Sequence, residues 1–418
     1  MANTLLTPSI ITKEALVILE NNLVAAKKVR RDFDKYFGKS LPTAGKIGDT
    51  LTIRKPNRFT VRTANMTLSA QGITEPSTSI VVNKIAGVDF TFSTTELTLT
   101  IDEFSDRYLK PAMATIANQI DFSVMQLYRE VWNQVGTPRV TPASFSTLAS
   151  CTRRLNDEAA PMDKERSGIV DPAAEVALAD AFKAFFNPAS AISSQYEDAV
   201  IGRVAGIEWS MDQNVNKHTT GSVSNTTPLA NLASSTGFRA FVEGDTLISV
   251  DGLNGATVTA KKGDTFTIAG VNAVNPQSRQ STGVLKQFVV TSDTTAASSR
   301  FDSGSTPAYL NFQPAIYSSG PFQNVDAPPA DNAAITFFDP SSATSTQNLA
   351  FHKDAFALVT VPLELPEGVH FAARESYKGV NMRIVRQYTI SDDQIPTRID
   401  VIYGVKAIYP ELAVRLAG

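Results

Sequence analysis

Apolar residues recur at the spacing of one helical face in one long stretch, residues 98–134. Thr100 and Glu103 have the spacing of a capping box, so we expect a helix to begin there. Pro111 lacks an amide proton and either kinks the segment or begins a second helix. The apolar face then consists of Ala112, Ile116, Ile120, Val124, Leu127 and Val131. From residue 111 to 133 the pattern predicts a spine helix of roughly 35 Å.

A second amphipathic helix is predicted at residues 12–29. Its apolar stripe consists of Ala15, Leu16, Leu19, Leu23 and Ala26. We expect this stripe to be exposed on the isolated chain and to require a partner. The basic residues that follow, Lys27, Lys28, Arg30 and Arg31, either complement the helix dipole or contact an acidic neighbour.

Residues 48–53 and 80–93 have the pattern of extended strands, and the polar residues 56–79 connect them. So long a connection inside a compact domain is unusual, which predicts either a functional loop or a long projecting hairpin. Basic residues cluster on its outgoing side: Arg54, Lys55, Arg58 and Arg62. An arm of this kind must find its hydrogen-bond partners elsewhere.

The remaining chain alternates helical and extended patterns, which indicates an α+β body. Helices are predicted at residues 145–158 and 173–186, and strands at 356–365, 382–390 and 399–408. Between residues 219 and 347 helical periodicity is absent and short β runs alternate with Ser, Thr, Gly and Asn. This spacing predicts a small all-β barrel inserted into the body. The Gly-Asp-Thr sequences at Gly48, Gly244 and Gly263 are interpreted as turns before strands.

Composition limits the function. With 418 residues and 43% hydrophobic residues, we expect more than one compact unit. Only 19% of residues are charged, which suits a surface covered by other subunits. The net charge of −3 disfavours a basic nucleic-acid coat. Cys151 is the single cysteine, so no disulfide framework is expected, and neither a signal peptide nor a membrane span is predicted.

Residues that could support catalysis do not form a recognisable set. His218, His352 and His370 lack ligand spacing, so no metal site is predicted. Residues 38–40 (GKS) resemble the end of a phosphate loop but lack the first glycine and a leading strand. Cys151 has no identifiable histidine base. We therefore expect no enzyme activity and no cofactor.

This order of elements, together with three phrases, resembles one family. The phrases are residues 201–207 (IGRVAGI), 262–271 (KGDTFTIAGV) and 348–356 (NLAFHKDAF). The chain resembles the major capsid (coat) protein of tailed double-stranded DNA bacteriophages, in the short-tailed branch whose shell domain carries an inserted barrel.

The resemblance implies a Hong Kong 97-type capsid fold and a domain order. The implied ranges are an N-terminal arm at 1–47, an extended loop at 48–92, a peripheral domain with the spine helix at 93–186, an axial domain at 187–218 and 348–418, and the inserted barrel at 219–347. Residues 348–418 would also return to the peripheral domain.

The resemblance also implies a virion shell protein that assembles in the host bacterial cytoplasm. Copies would form hexamers and pentamers of an icosahedral head around double-stranded DNA, first as a procapsid with scaffolding protein and a portal protein. The arm at 56–79 would lie over a neighbouring subunit. The expected inter-subunit residues are Leu16, Leu19, Leu23, Arg54, Lys55, Arg58 and Arg62. Some relatives crosslink through Lys and Asn; Lys55, Lys84 and Asn57 are present, but no spacing marks them as a pair.

Two further classes stay open on the sequence alone. An encapsulin-like compartment shares the implied fold but encloses protein, and the inserted barrel argues against it. A secreted adhesin or carbohydrate-binding protein would explain the Ser- and Thr-rich middle, but the absent signal peptide disfavours it.

Overall fold

The computed structural model describes residues 8–33, 50–60, 72, 75–93, 108–182, 202–223, 227–233, 237–255 and 257–418. The chain divides into two compact units. The first contains Met1–Lys55, Ser77–Met125 and Phe356–Ile408, and the second contains Pro56–Pro76, Gln126–Ala355 and Tyr409–Gly418. Helices and sheets occur in both, which confirms the α+β class predicted from the sequence.

The described residues include four α-helices: α1 Pro8–Asn22, α2 Lys110–Met125, α3 Phe145–Asp157 and α4 Pro172–Phe182. The strands up to the barrel are β1 Thr50–Arg54, β2 Ser77–Val81, β3 Lys84–Ser93, β4 Gln134–Val135, β5 Arg166–Val170, β6 Gly202–Val204, β7 Ile207–Met211 and β8 Lys217–Thr219. Those that follow are β9 Leu229–Ala230, β10 Leu247–Ile248, β11 Val250–Asp251, β12 Thr259–Ala260, β13 Thr265–Val274, β14 Ser281–Val290, β15 Thr294–Thr295, β16 Leu310–Gln313 and β17 Ile335–Phe337. The last strands are β18 Thr344–His352, β19 Phe356–Val361, β20 Phe371–Tyr377, β21 Val380–Arg386, β22 Gln394–Ala407 and β23 Ala413–Ala417.

The first unit is an antiparallel sheet covered by two helices. Its strand order is β19-β22-β21-β20, and β3 also pairs with the long strand β22. Helices α1 and α2 pack against each other, α1 against β20 and β21, and α2 against β3 and β22. The Ser123 hydroxyl of α2 lies 2.9 Å from the Tyr403 hydroxyl of β22, and both side chains are buried. Strands β1 and β2 form a separate antiparallel pair in this unit.

The second unit is built on a sheet of order β4-β23-β18-β5-β7-β6, with β8 paired to the beginning of β18. Helices α3 and α4 cover one face, and Leu148, Leu178, Trp209 and Val414 belong to the shared apolar core. Most neighbours are antiparallel, but β23 is parallel to β4 and β5 is parallel to β7.

The chain leaves this sheet after β8 and returns in β18, where Thr219 and Thr344 are paired residues. Between them lies a five-stranded sheet of order β10-β16-β14-β13-β17 with two smaller strand pairs. Its residues form a separate apolar core that extends from Val223 to Ile335. Phe266, Phe288 and Phe312 are in contact at its centre, with ring centroids 5.2 to 5.9 Å apart.

The helix bounds differ from the sequence prediction. Helix α1 ends at Asn22 instead of residue 29, because the Asp121 carboxylate accepts the backbone N–H groups of Val24 and Ala26 in place of helical carbonyls. Helix α2 ends at Met125 instead of residue 133, and a 3-10 turn at Gln126–Glu130 follows it before strand β4. The predicted start at Thr100 lies outside the described residues.

The predicted strand at residues 80–93 is interrupted. It contains the end of β2 and the whole of β3, separated at residues 82–83. Residues 202–211 form a hairpin, since Ala205 and Gly206 adopt positive φ angles of 51° and 82° between β6 and β7. The chain thereby reverses in two residues, as it does in a type I′ turn.

The two compact units also divide the chain differently from the predicted domain ranges. The division after Met125 separates α2 from residues 126–182, which the sequence analysis had placed together at 93–186. The physical reason is that β5 and α3 share the core of the second sheet. The assignment of the predicted ranges to peripheral and axial domains stays a prediction.

Candidate inter-subunit surfaces and the polar contacts around them

The apolar stripe of α1 is buried within its own chain. Leu16, Leu19 and Leu23 are each no more than 1% exposed, and the helix packs on α2, β20 and β21. The expectation of an exposed terminal stripe is therefore wrong. An amphipathic pattern shows that one face is buried but does not show which chain buries it.

The basic cluster after α1 is likewise engaged within the chain. Arg31 lies 2.8 Å from the Glu20 carboxylate, and its Nε donates to the carbonyl of Ala26. Arg30 pairs through its backbone with Ala357 of β19. The acidic partner of Arg31 is thus Glu20 of α1 itself.

The projecting arm begins at the paired strands β1 and β2. Arg54 is exposed and Lys55 half-buried. Arg58 lies 3.8 Å from Glu411, and the carbonyl of the neighbouring Phe59 accepts a hydrogen bond from Arg279.

Arg58 and Phe59 of the arm therefore contact their own chain, and the contact of the arm with a neighbouring subunit stays a prediction. Phe59 nevertheless keeps 60% of its surface exposed. Arg62 lies outside the described residues.

The structure also locates the crosslinking residue types. Lys84 begins β3, where burial lowers the pKa of its ammonium group. Asn57 is half-buried at the base of the arm. A crosslink between them stays unpredicted.

Two histidines are buried and held by carboxylates. His218 Nε2 lies 2.8 Å from Asp264, and its Nδ1 lies 3.1 Å from the Tyr128 hydroxyl. His352 Nδ1 accepts the backbone N–H of Asp354, so Nε2 carries the proton and donates to Asp163. Both rings therefore have structural partners on both nitrogens.

Asp163, Glu165 and His352 lie close enough together to hold a metal ion. His352 has no free lone pair in this arrangement, because Nδ1 accepts a hydrogen bond and Nε2 donates one. Glu165 lies 3.3 Å from the Lys353 ammonium group. Desolvation alone would raise the pKa of Asp163, but hydrogen bonds from His352 and from the Glu165 N–H outweigh it and lower the pKa. The cluster is a hydrogen-bonded connection between β18 and the segment before β5.

Cys151 is buried in α3, and burial raises the pKa of its thiol to about 12. The reactive thiolate is therefore absent near neutral pH. Among the described residues we find no nucleophile with a neighbouring base.

The barrel meets the sheet of the second unit through buried polar side chains, which the sequence analysis missed. Lys286 of β14 forms an ion pair with Glu158 after α3 at 2.5 Å, and both are at least 90% buried. Gln287 exchanges two hydrogen bonds with the backbone of Gln134, at 2.8 and 2.9 Å. Gln134 also contacts Thr265 of β13 through their side chains.

Arg415 of β23 lies at the centre of these contacts and is fully buried. Both terminal nitrogens donate to the carbonyl of Gly263, and one also donates to Gln134. Gly263 has a φ angle of +102°, which an L side chain rarely adopts. Burial lowers the pKa of Arg415, while Asp339 and the Tyr128 ring oppose that shift.

The Gly-Asp-Thr turns are confirmed at two of their three sites. Gly244 and Gly263 have positive φ angles, and Asp264 accepts the backbone N–H groups of Lys261 and Gly221. Gly48 lies outside the described residues. The repeated formula is a structural turn.

Comparison with known proteins decides the family. The family described as "P22 coat protein - gene protein 5" matches residues 1–418. The chain belongs to the P22 coat protein family. The resemblance stated from the sequence is confirmed: this is a major capsid protein of the tailed-phage type, and it has the predicted α+β architecture.

Solved structures similar to this coat protein include that of Mycobacterium phage Che8, with 11% identity, coverage of 94% and 90% of the two chains and a TM-score of 0.47. The acid-stable capsid of Helicobacter pylori bacteriophage KHP30 has 10% identity, coverage of 94% and 88% and a TM-score of 0.45. A virus-like particle from Pyrococcus furiosus has 7% identity, coverage of 97% of both chains and a TM-score of 0.38. TM-scores below 0.5 do not establish a common fold, so the assignment depends on the family match. A search of curated protein sequences finds no match.

No helix in the described parts of this coat protein is long and apolar enough to cross a membrane. The buried charges at the barrel interface had no signal in the sequence, since Lys286, Glu158 and Arg415 belong to three separate segments. Periodicity finds residues that share one face of one element, but it does not find pairs that only the fold brings together.

Proposed function

We propose that this coat protein self-assembles into the icosahedral head that encloses the double-stranded DNA of a tailed bacteriophage, by way of a scaffold-directed procapsid. The observation that carries the proposal is the family match over residues 1–418. Copies of the chain would form hexamers and pentamers in the host bacterial cytoplasm, with scaffolding protein inside and a portal protein at one vertex. The chain would act as a structural protein and not as an enzyme.

The net charge of the chain supports motor-packaged double-stranded DNA as the proposed cargo. A shell filled by a packaging motor must let DNA slide along its inner surface, which a subunit with a net charge of −3 allows. A coat that condenses its genome by direct binding needs a large excess of Lys and Arg. Contact with packaged DNA is therefore proposed as non-specific.

The arm is the proposed inter-subunit element. Arg54, Lys55, Arg58 and Arg62 remain its candidate residues, and the exposed Phe59 supplies an apolar contact beside them. Within the shell, the predicted ranges would serve as N-terminal arm, extended loop, peripheral domain, axial domain and inserted barrel. The buried leucines of α1 are not part of this proposal, since their own chain covers them.

The test is to express the chain with and without co-produced scaffolding protein and to image the products by electron microscopy with nucleic-acid staining. We expect closed shells of uniform size with scaffold and irregular products without it. A chain that stays a 45.0 kDa monomer under all conditions would contradict the proposal. Uniform shells that enclose only protein would support the alternative of an encapsulin-like compartment.

A further inference from the structure

A small cavity in the second unit contains a buried cation that lacks an anionic partner. The cavity has a volume of about 100 Å³ and is lined by Val135, Ser150, Arg153, Arg154, Asp157 and Val284. A cavity of this volume has room for several water molecules. A carboxylate group or an inorganic phosphate is of similar size.

Arg154 is the residue that gives the cavity its chemistry. Its side chain is only 9% exposed, and its Nε donates to Gln287 Oε1 at 3.2 Å. The two terminal nitrogens have no hydrogen-bond or ion-pair partner within the described parts of the chain. Arg154 thus presents the forked face that binds carboxylate or phosphate oxygens in pairs.

The guanidinium group is held in place before any ligand arrives. Gln287 Oε1 accepts both the Gln134 backbone N–H and Arg154 Nε, and Gln287 Nε2 donates to the Gln134 carbonyl. These bonds hold the Gln287 side chain against Gln134 of β4, and Gln287 in turn holds the Arg154 guanidinium group in place. A preorganised donor loses less conformational entropy when it binds an acceptor.

The neighbouring carboxylates do not satisfy this cation. Glu158 forms its ion pair with Lys286, and Asp157 lies 3.8 Å from the more exposed Arg153. Burial lowers the pKa of Arg154, and the fields of Glu158 and Asp157 only oppose that shift. A largely buried guanidinium that has no carboxylate in ion-pair contact is costly, and an incoming anion would reduce that cost.

We propose that this cavity is an anion site that receives a side-chain carboxylate from a second copy of the chain. A single carboxylate fits the cavity, whereas nucleic acid presents phosphates along an extended backbone that such a recess excludes. The source of the carboxylate rests on the proposed shell function, because in a shell each copy is packed against others.

The test uses two variants of the full chain. Arg154→Met replaces the guanidinium with a shorter, unbranched apolar chain and leaves Gln287 Oε1 still bonded to Gln134. Arg139→Met removes the same charge from an exposed position in the same unit and serves as the control. The soluble monomer is heated in chloride, acetate, inorganic phosphate or a 20-nucleotide single-stranded DNA at equal ionic strength.

We expect acetate and phosphate to raise the melting temperature of the wild-type chain and of Arg139→Met, but not of Arg154→Met. In chloride the Arg154→Met monomer should be as stable as wild type or more stable, because an unpaired buried charge has been removed. With scaffold present, its threshold concentration for shell formation should rise by about tenfold or more.

Equal anion stabilisation in Arg154→Met and wild type would overturn the site. Stronger stabilisation by the oligonucleotide than by acetate would overturn the assigned partner in favour of nucleic acid. A shell reconstruction with only water at Arg154 would also overturn the assignment of a carboxylate from a second copy. Failure of the wild-type chain to form shells would instead count against the proposed function, and the monomer measurements would still decide the anion site.

Discussion

The interior of the inserted barrel and the face by which it meets the sheet are built from different residues. The interior contains a large apolar cluster, with Phe266, Phe288 and Phe312 at its centre. The docking face uses Lys286, Glu158 and other buried polar side chains. Apolar contacts stabilise in proportion to the area they bury and tolerate small shifts, whereas buried charges require one geometry.

The difference assigns separate roles to the two regions. The aromatic core stabilises the barrel as a unit, and the polar contacts set one orientation of the barrel on its sheet. Lys286 and Gln287 follow each other on β14 and contact Glu158 and Gln134 of the docking face, whereas the next residue, Phe288, packs in the barrel core. One strand therefore carries both kinds of contact.

The largest expected effect is in the barrel core. Phe288→Ala should lower the free energy of unfolding by about 3–5 kcal/mol, because a fully buried aromatic ring leaves a cavity. Urea unfolding followed by tryptophan fluorescence measures the change, since Trp132 and Trp209 are buried in the same unit. Phe338→Ala, at a position 38% exposed, is the control and should cost far less. A loss below about 1 kcal/mol at Phe288 would show that the core can collapse around the deletion.

The docking ion pair should be next in size. Either Lys286→Met or Glu158→Gln alone should cost about 3 kcal/mol, because each leaves the other charge buried without a partner. The double variant should cost less than the sum of the two, and urea unfolding of all four proteins gives the coupling energy. Additive losses would mean that the two side chains do not stabilise each other.

Features that depend on one element could be predicted from the sequence, whereas features that depend on contacts between distant segments could not. The strands of the barrel and the helix at 145–158 could be predicted because alternation and helical spacing report on one element at a time. The end of α1 could not, because Asp121 lies 95 residues away from Ala26, whose N–H it accepts. The same limit explains the stripe of α1, whose covering surface comes from α2, β20 and β21.

The candidate sites divide in the same way. The basic residues of the arm could be named from their clustering, although the contact of Arg58 with Glu411 could not. Arg154 could not be identified as a site residue from the sequence, since an arginine in an amphipathic helix is usually solvated. Its burial is due to β14, more than 120 residues later in the chain.

A smaller effect is expected at Asp121, whose carboxylate accepts two backbone N–H groups just after α1. Asp121→Ala should lower the free energy of unfolding by about 2 kcal/mol, since two backbone N–H groups lose a charged acceptor. Hydrogen exchange should show faster exchange at Val24 and Ala26, with Asp121→Asn intermediate because its amide keeps one oxygen. Unchanged protection of these two amides would contradict the assignment of Asp121 as the group that ends α1.

The smallest effect is expected at the rim of the barrel, where Glu243 accepts hydrogen bonds from the backbone and side chains of Ser318 and Ser319. The backbone N–H of Ser319 contributes most to the lowered pKa of Glu243. A lowered pKa means that the folded chain binds this proton less tightly than the unfolded chain does. The stabilisation is therefore complete above the ordinary value of 4.5 and is lost as the pH falls through the lower folded value.

Glu243→Gln should consequently cost less than about 1 kcal/mol at pH 7, because the carboxylate is exposed. Melting curves of wild type and variant should differ at pH 7 and converge below pH 4.5, as protonation removes the charge that the substitution also removes. Glu208→Gln, an exposed carboxylate on β7, serves as the matched control. A difference that persists in acid would mean that the substituted amide disturbs the loop by its shape, and that the charge of Glu243 does not hold the rim.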